Sequence, residues 1–460
     1  MNMKQLSEQY EGEFLEKVTR ILEIPSVYEE SEEYPYGKPI DDALNTMLEI
    51  ADADGFSTKN IDGQAGHIEF GYGDELLGIL GHLDVVPAGK GWTTQPFEPV
   101  VNDGKLYARG AQDDKGPVMA AYIAMKILKD QGFKPQKRIR LILGTDEERD
   151  WKGMEHYFNK EEMPALGFSP DASFPVIHAE KGLLDFYMNY KVTNKADTSS
   201  NIELIKINSG DRLNMVPDEA SAVLRSNKDL KDQFLQFIHD HQLEGEFEEG
   251  HNECTVVVKG KSVHASTPES GINAISALVS YLLTLPLNDG DIELLSMIQR
   301  SFKESDGSGL QLNQSDSESG ELTLNLGSLT WEESKCRLGI NLRYPVTADS
   351  DSILSTLEKF TQEHGGHFEL YDHLKALYME KDHPFVQALL RVYNDATGED
   401  LSALSIGGAT YARSLNAGVA FGAMFSSSPD TAHQKDEHVR IADMIKAIEI
   451  YAASIYELTK

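Results

Sequence analysis

The chain has 460 residues, with 75 Asp+Glu against 42 Lys+Arg and a formal net charge of −33. Its 40% hydrophobic and 25% charged composition is that of a folded protein, and its length exceeds one ordinary core, so two or three domains are expected. So acidic a surface repels phosphate backbones and anionic lipids, which argues against nucleic-acid or membrane partners.

Two cysteines, Cys254 and Cys336, cannot build a disulfide framework or a thiolate-rich zinc site. The N-terminal stretch reads as an amphipathic helix rather than a signal peptide, with Phe14, Val18, Ile21 and Leu22 at helical spacing. No apolar run reaches the roughly 18 residues that span a bilayer. A cytoplasmic protein is expected.

The segment HIEFGYGDELLGILGHLDVV predicts two strands joined by a glycine-rich turn. KGPVMAAYIAMKILK follows as a helix, and IRLILGTDEE as a buried strand ending in acids. Strand, helix and buried strand together predict an α/β sheet with parallel elements. The middle of the chain is more polar and turn-rich, with ribbon-like strands in CTVVVKG, ELTLNLGSLTW and CRLGINLRYPV. SALSIGGATYARSL and VAFGAMFSS return to the first style, and RIADMIKAIEIYAASIYELTK predicts a terminal helix. The expected fold is α/β: a mixed, mostly parallel sheet flanked by helices, built from residues 1–184 and 384–460, with an α+β domain inserted at 185–383. The polar stretch at 301–321 fits a surface loop or hairpin.

Metal-type residues fall at the strand ends. GHLDVVP places His82 and Asp84 two apart, so that one could ligate a metal while the other accepts the imidazole N–H. Asp113 and Asp114 precede a helix, where two acids would also serve as caps. Glu147 and Glu148 end a buried strand and diverge, which suits one ligand and one base. Asp171 lies in a proline-flanked loop, and His433 precedes the last helix. Carboxylates with imidazoles suit Zn²⁺, Mn²⁺ or Co²⁺. Two metals about 3.5–4 Å apart need a bridging carboxylate and about two further ligands each. His82, Asp113, Glu148, Asp171 and His433 supply that number.

GHLDVVP, ARGAQDDKGP, TDEE, SPDASFPV, GKSVHAS and TAHQKDEH, in this order, resemble the motifs of the dinuclear metallopeptidase family. That family includes acetylornithine deacetylase, succinyl-diaminopimelate desuccinylase, glutamate carboxypeptidase and carnosinase-like dipeptidases. The resemblance implies a catalytic domain carrying an inserted lid and two divalent cations. His82 and Asp171 would hold one cation, Glu148 and His433 the other, and Asp113 would bridge them. Asp84 would orient His82, and Glu147 would be the general base for attack of water on a peptide carbonyl. His264 of the lid would polarise that carbonyl. Asn214 and Arg343 match lid positions near the substrate, and Gly408 and Arg413 of GGATYAR a substrate-binding loop. The large insert resembles the lid of PepV-type dipeptidases (Xaa-His dipeptidase, carnosinase-like), which implies a monomer acting on unblocked dipeptides. An N-acyl amino acid deacylase and a non-catalytic metal- or peptide-binding relative are the alternatives.

Overall fold

The computed structural model describes residues 1–192, 202–332 and 335–460. The chain divides into two units, Met1–Ala179 with Leu377–Lys460, and Glu180–Ala376. These boundaries fall several residues before 184/185 and 383/384, for a reason visible in the pairing. Strand Gly182–Lys191 pairs with Lys335–Tyr344 and Gly366–Leu374 and so belongs to the inserted unit, whereas strand Leu377–Tyr378 joins the sheet of the first.

The first unit is built on a nine-stranded mixed sheet. Its parallel pairings sit at the centre. Leu76–His82 runs parallel to Arg138–Gly144 on one side and Leu166–Ser169 on the other, and Gly418–Phe421 is parallel to Leu166–Ser169. Antiparallel strands flank this centre: Ser57–Ile61 and Ala65–Phe70 on one side, and Val176–Glu180 against Gly418–Phe421 on the other. The two strands expected on either side of the Gly-rich turn both form, but they are not neighbours. Arg138–Gly144 lies between them.

The central strand Leu76–His82 is buried along its whole length, as a parallel strand covered by helices must be. Helix Lys115–Asp130 and helix Ile441–Thr459 bury most of their residues in one shared core. A Cβ on Gly81 would collide with Val118 and lie 2.5 Å from Asp114 Oδ2. Glycine there lets the first turn of helix Lys115–Asp130 approach the end of the strand, beside His82.

The inserted unit has an eight-stranded sheet in which every pairing is antiparallel. Glu253–Lys259 alternates buried and half-buried residues, and that period of two puts one face of the sheet on a core. Helices Lys231–Asp240, Ala274–Leu282, Asp289–Ser301 and Ser350–Glu363 all add buried residues to that core. The polar 301–321 stretch is ordered around Leu310 and Leu312, both buried, and a short hairpin of Ser315–Asp316 with Gly320–Glu321. Asp316 accepts from the backbone N–H groups of Ser319 and Thr347, which ties the hairpin down. Among the described residues no helix is long and apolar enough to cross a membrane.

Candidate metal centre

Three adjacent parallel strands end on the same edge of the sheet, and the loops beyond them carry the site. His82 is the last residue of its strand and is fully buried. Its Nδ1 lies 2.9 Å from the main-chain oxygen of Asp84. A carbonyl only accepts, so Nδ1 carries a proton and Nε2 is the nitrogen left to face the carboxylates. Nε2 points at carboxylates, 2.9 Å from Asp113 Oδ1 and 3.8 Å from Asp171 Oδ2.

Asp113 turns its two oxygens to different imidazoles. Oδ1 faces His82, and Oδ2 lies 3.0 Å from His433 Nε2. His433 Nε2 is also 2.8 Å from Glu148 Oε1. Two groups could each hold a cation, His82–Asp113–Asp171 and Asp113–Glu148–His433, the donor atoms of each lying within 4.8 Å of one another. Asp113 is common to both. Glu147 is in neither group.

The electrostatics of this donor set favour an added positive charge. Burial, reinforced by the charge of Asp113, pushes the Asp171 carboxyl well above its ordinary range. Burial also raises Glu147, to which Glu148, Asp113 and Asp84 add repulsion, and raises Glu148. Hydrogen bonds to Asp113 and Glu148 push His433 up to about 10. Burial opposes charge on His82, but Asp113 and Asp84 outweigh it and hold the imidazole well above its usual value. Carboxylates that resist ionisation around imidazoles that attract protons fit a pair of divalent cations, which would satisfy both.

Asp84 does more than the sequence spacing implies. The His82 ring is held by the Asp84 carbonyl, with the Asp84 carboxylate farther away at 3.4 Å. That carboxylate accepts the backbone N–H of Glu147 at 3.2 Å and of Glu148 at 3.0 Å. Asp84 therefore joins the loop after Leu76–His82 to the loop after Arg138–Gly144. Asp114, adjacent to Asp113, turns away from the ligands and accepts the His82 N–H.

Several supporting residues carry no recognisable sequence signal. Asp146, buried, accepts from the Gly153 N–H and from the Tyr411 hydroxyl, and burial raises its carboxyl to about 6. Tyr411 also places its ring edge-on to His82. Glu437 lies within the TAHQKDEH motif and is fully buried against Arg109. Its acidic neighbours in the motif hide it.

The remaining residues singled out from sequence divide between the units. Gly408 and Arg413 lie in the first, where Arg413 donates to the Gly408 carbonyl at 2.7 Å, closing their loop on itself. His264, Asn214 and Arg343 lie in the inserted unit. There His264 Nε2 is 3.4 Å from Arg343 Nη2, and its Nδ1 is 2.7 Å from Ser266 Oγ. The Asn214 carbonyl accepts the Ala265 N–H, which sets Asn214 beside His264. Arg343 is buried and donates through Nε to Asn341, which in turn donates to Asp185.

The fold is shared with solved dipeptidases at low sequence identity. Aminoacylhistidine dipeptidase from Vibrio alginolyticus matches with a TM-score of 0.61 at 15% identity, over 97% of this chain and 96% of that one. Human carnosine dipeptidase 1 matches with a TM-score of 0.58 at 14% identity, over 99% and 98%. Similarity in sequence is far stronger elsewhere. "Putative dipeptidase YtjP" of Bacillus subtilis is 44% identical over 93% of this chain and 92% of its own length. A "Putative dipeptidase" of Staphylococcus epidermidis is 40% identical over 98% of both. A family model spans residues 78–457, from the strand that ends in His82 to the last helix, and so takes in every residue of the two ligand groups: the chain belongs to peptidase family M20/M25/M40.

Proposed function

We propose that the protein is a metal-dependent dipeptidase that hydrolyses unblocked dipeptides. The observation that carries this reading is Asp113, whose two carboxylate oxygens each face a different imidazole. The chain is a peptidase by family, and its similarity to relatives named as dipeptidases extends over nearly its whole length.

In this reading His82 and Asp171 hold one divalent cation, Glu148 and His433 hold the other, and Asp113 is shared. The donor set suits Zn²⁺ or Mn²⁺, with Co²⁺ also accommodated. Such cations, when bound, supply Lewis-acid chemistry and make water a better nucleophile near neutral pH. Glu147, next to ligand Glu148 and outside both ligand groups, takes the proton of the attacking water. It then returns that proton to the leaving amine. Asp84 keeps Glu147 in place through the backbone N–H. His264 polarises the scissile carbonyl, and Asn214, Arg343, Gly408 and Arg413 bind the substrate. The size of the inserted unit supports a monomer. The two free, buried cysteines support a reducing compartment such as the cytoplasm.

The test is hydrolysis of a panel of free dipeptides and their N-acetylated counterparts. The protein is stripped with chelator and restored with Mn²⁺ or Zn²⁺. Metal-restored cleavage of the free dipeptides alone is expected. Cleavage confined to the acylated compounds would make the protein a deacylase instead, and no cleavage with both metals bound would make it a binding protein.

A further inference from the structure

Asp113 and His433 are 320 positions apart in the chain, yet their loops are cross-linked by several hydrogen bonds. Strand His438–Arg440, just beyond the His433 loop, pairs antiparallel with Lys105–Tyr107, just before the Asp113 loop. Between those strands and the ligands stands Glu437. It is fully buried, as is Arg109, whose Nη1 donates to Glu437 Oε2 at 2.5 Å. The other oxygen, Oε1, accepts the backbone N–H of Gln112 at 2.8 Å and of Asp113 itself at 3.2 Å. The Glu437 carbonyl accepts the Ala108 N–H. Gln112 continues the stitching, because its side-chain oxygen accepts from the backbone N–H of Thr431 at 2.8 Å and from the Thr431 hydroxyl. Arg109 also packs over the Trp92 ring, on the segment that follows His82 and Asp84.

The His433 loop needs such restraint. His433 has φ of +61° and Asp436 +56°, left-handed values that are unfavourable for a non-glycine residue and persist only where the surroundings impose them. A buried ion pair is itself weak evidence of a stabilising role, since apolar residues of similar size often do as well. What apolar residues could not do here is accept two N–H groups of the Asp113 loop while gripping a guanidinium.

We propose that Arg109 and Glu437 are a positioning pair that fixes Asp113 and His433 relative to each other and thereby sets the cation affinity of the Asp113–Glu148–His433 group. This rests on the two-cation reading above. Neither residue is a ligand; both act through the backbone that presents the ligands.

The experiment is a calorimetric titration of chelator-stripped protein with Mn²⁺ and, separately, Zn²⁺. Glu437→Gln alone leaves a buried guanidinium without its charge partner and can unfold the chain, so the deciding variant is Glu437→Gln with Arg109→Met. The parent is expected to bind two cations. The double variant is expected to keep its circular dichroism and cooperative melting but to bind one of the two cations roughly 10–100-fold more weakly, the loss usual when a group supporting metal ligands is removed. Affinity at both sites within threefold of the parent would overturn the proposal. A double variant that no longer folds would overturn it too, because the pair would then be an element of stability. Fewer than two cations in the parent would instead sink the two-cation reading, a result seen without any variant.

Discussion

Asp84 gives the most direct separation between orienting a histidine and holding the loop of Glu147 and Glu148. If its carboxylate served only His82, Asp84→Asn would be nearly silent, because the ring is held by the main-chain carbonyl, which asparagine keeps. The structure makes the opposite prediction. The two carboxylate oxygens accept two backbone N–H groups, at 3.2 and 3.0 Å, from Glu147 and Glu148. A hydrogen bond to a charged acceptor contributes about 1.5–3 kcal/mol, so Asp84→Ala forfeits about 3–6 kcal/mol, falling toward 3 as water reaches half-buried Glu147 and Glu148. Asparagine keeps one oxygen and turns an amide NH₂ against the other N–H, so it loses about half as much. Trp151 is a local reporter, since its indole donates to the Glu147 carbonyl at 2.7 Å. We expect urea unfolding of chelator-stripped protein, followed by tryptophan fluorescence, to shift by these amounts in the order parent, Asn, Ala. We also expect metal-restored kcat to drop roughly 10–100-fold in the Asn variant. An Asn variant with parental unfolding and parental kcat would refute the argument.

Glu147→Gln is expected to bind both cations like the parent yet lose turnover by about 10²–10⁴-fold, the usual contribution of a positioned general base; assay of kcat beside metal content checks it, and loss of a cation would make Glu147 a ligand. In the inserted unit, burial raises the Asp291 carboxyl to about 6, and Asn288 donates to it. A folded-state pKa above the unfolded one means that the folded chain holds the proton more tightly, so this stability is full below the unfolded value of 3.8 and is lost as pH rises through about 6. Asp291→Asn, measured by melting temperature from pH 4 to 8, should flatten that decline and be the more stable form at pH 7.5 by roughly 2–3 kcal/mol; an unchanged slope would exclude Asp291 as its source.

The candidate ligands that the structure brings together were legible because they are metal-type residues in the loops that follow buried strands or precede helices. The residues that hold them were not. Arg109 and Glu437 are 328 positions apart, and no local pattern says that either is buried. Asp84 was paired with His82 by spacing, but its carboxylate is spent on a loop some 63 positions away. The strands around the Gly-rich turn are adjacent in sequence but not in the sheet. The chain instead reaches Arg138–Gly144 through helix Lys115–Asp130, the crossover that a parallel pair requires. In the 301–321 stretch the polar residues mask Leu310 and Leu312, whose burial orders it. Boundary positions escaped for the same reason: strand Gly182–Lys191 has the composition of either unit, and only its partners decide.

The sheet order explains why these ligands converge at all. His82 pairs with Gly144, and Ile79 with Phe168, so the three central strands finish at nearly the same level and send their loops over one edge. Parallel strands do this automatically, whereas each antiparallel neighbour sends its loop to the other end. One loop then brings Asp84, one Glu147 and Glu148, and one Asp171. The fourth contribution, Asp113, comes from the residue before the N-cap of helix Lys115–Asp130, whose positive end meets the same edge. A helix terminus is equivalent to only about half an elementary charge, far less than the clustered carboxylates demand. His82 and His433 cannot close the gap either, since each imidazole accepts at most one proton. The arrangement therefore suits charge from outside the polypeptide, and in the two-cation reading proposed above Asp113, facing both imidazoles, would be the residue that shares it.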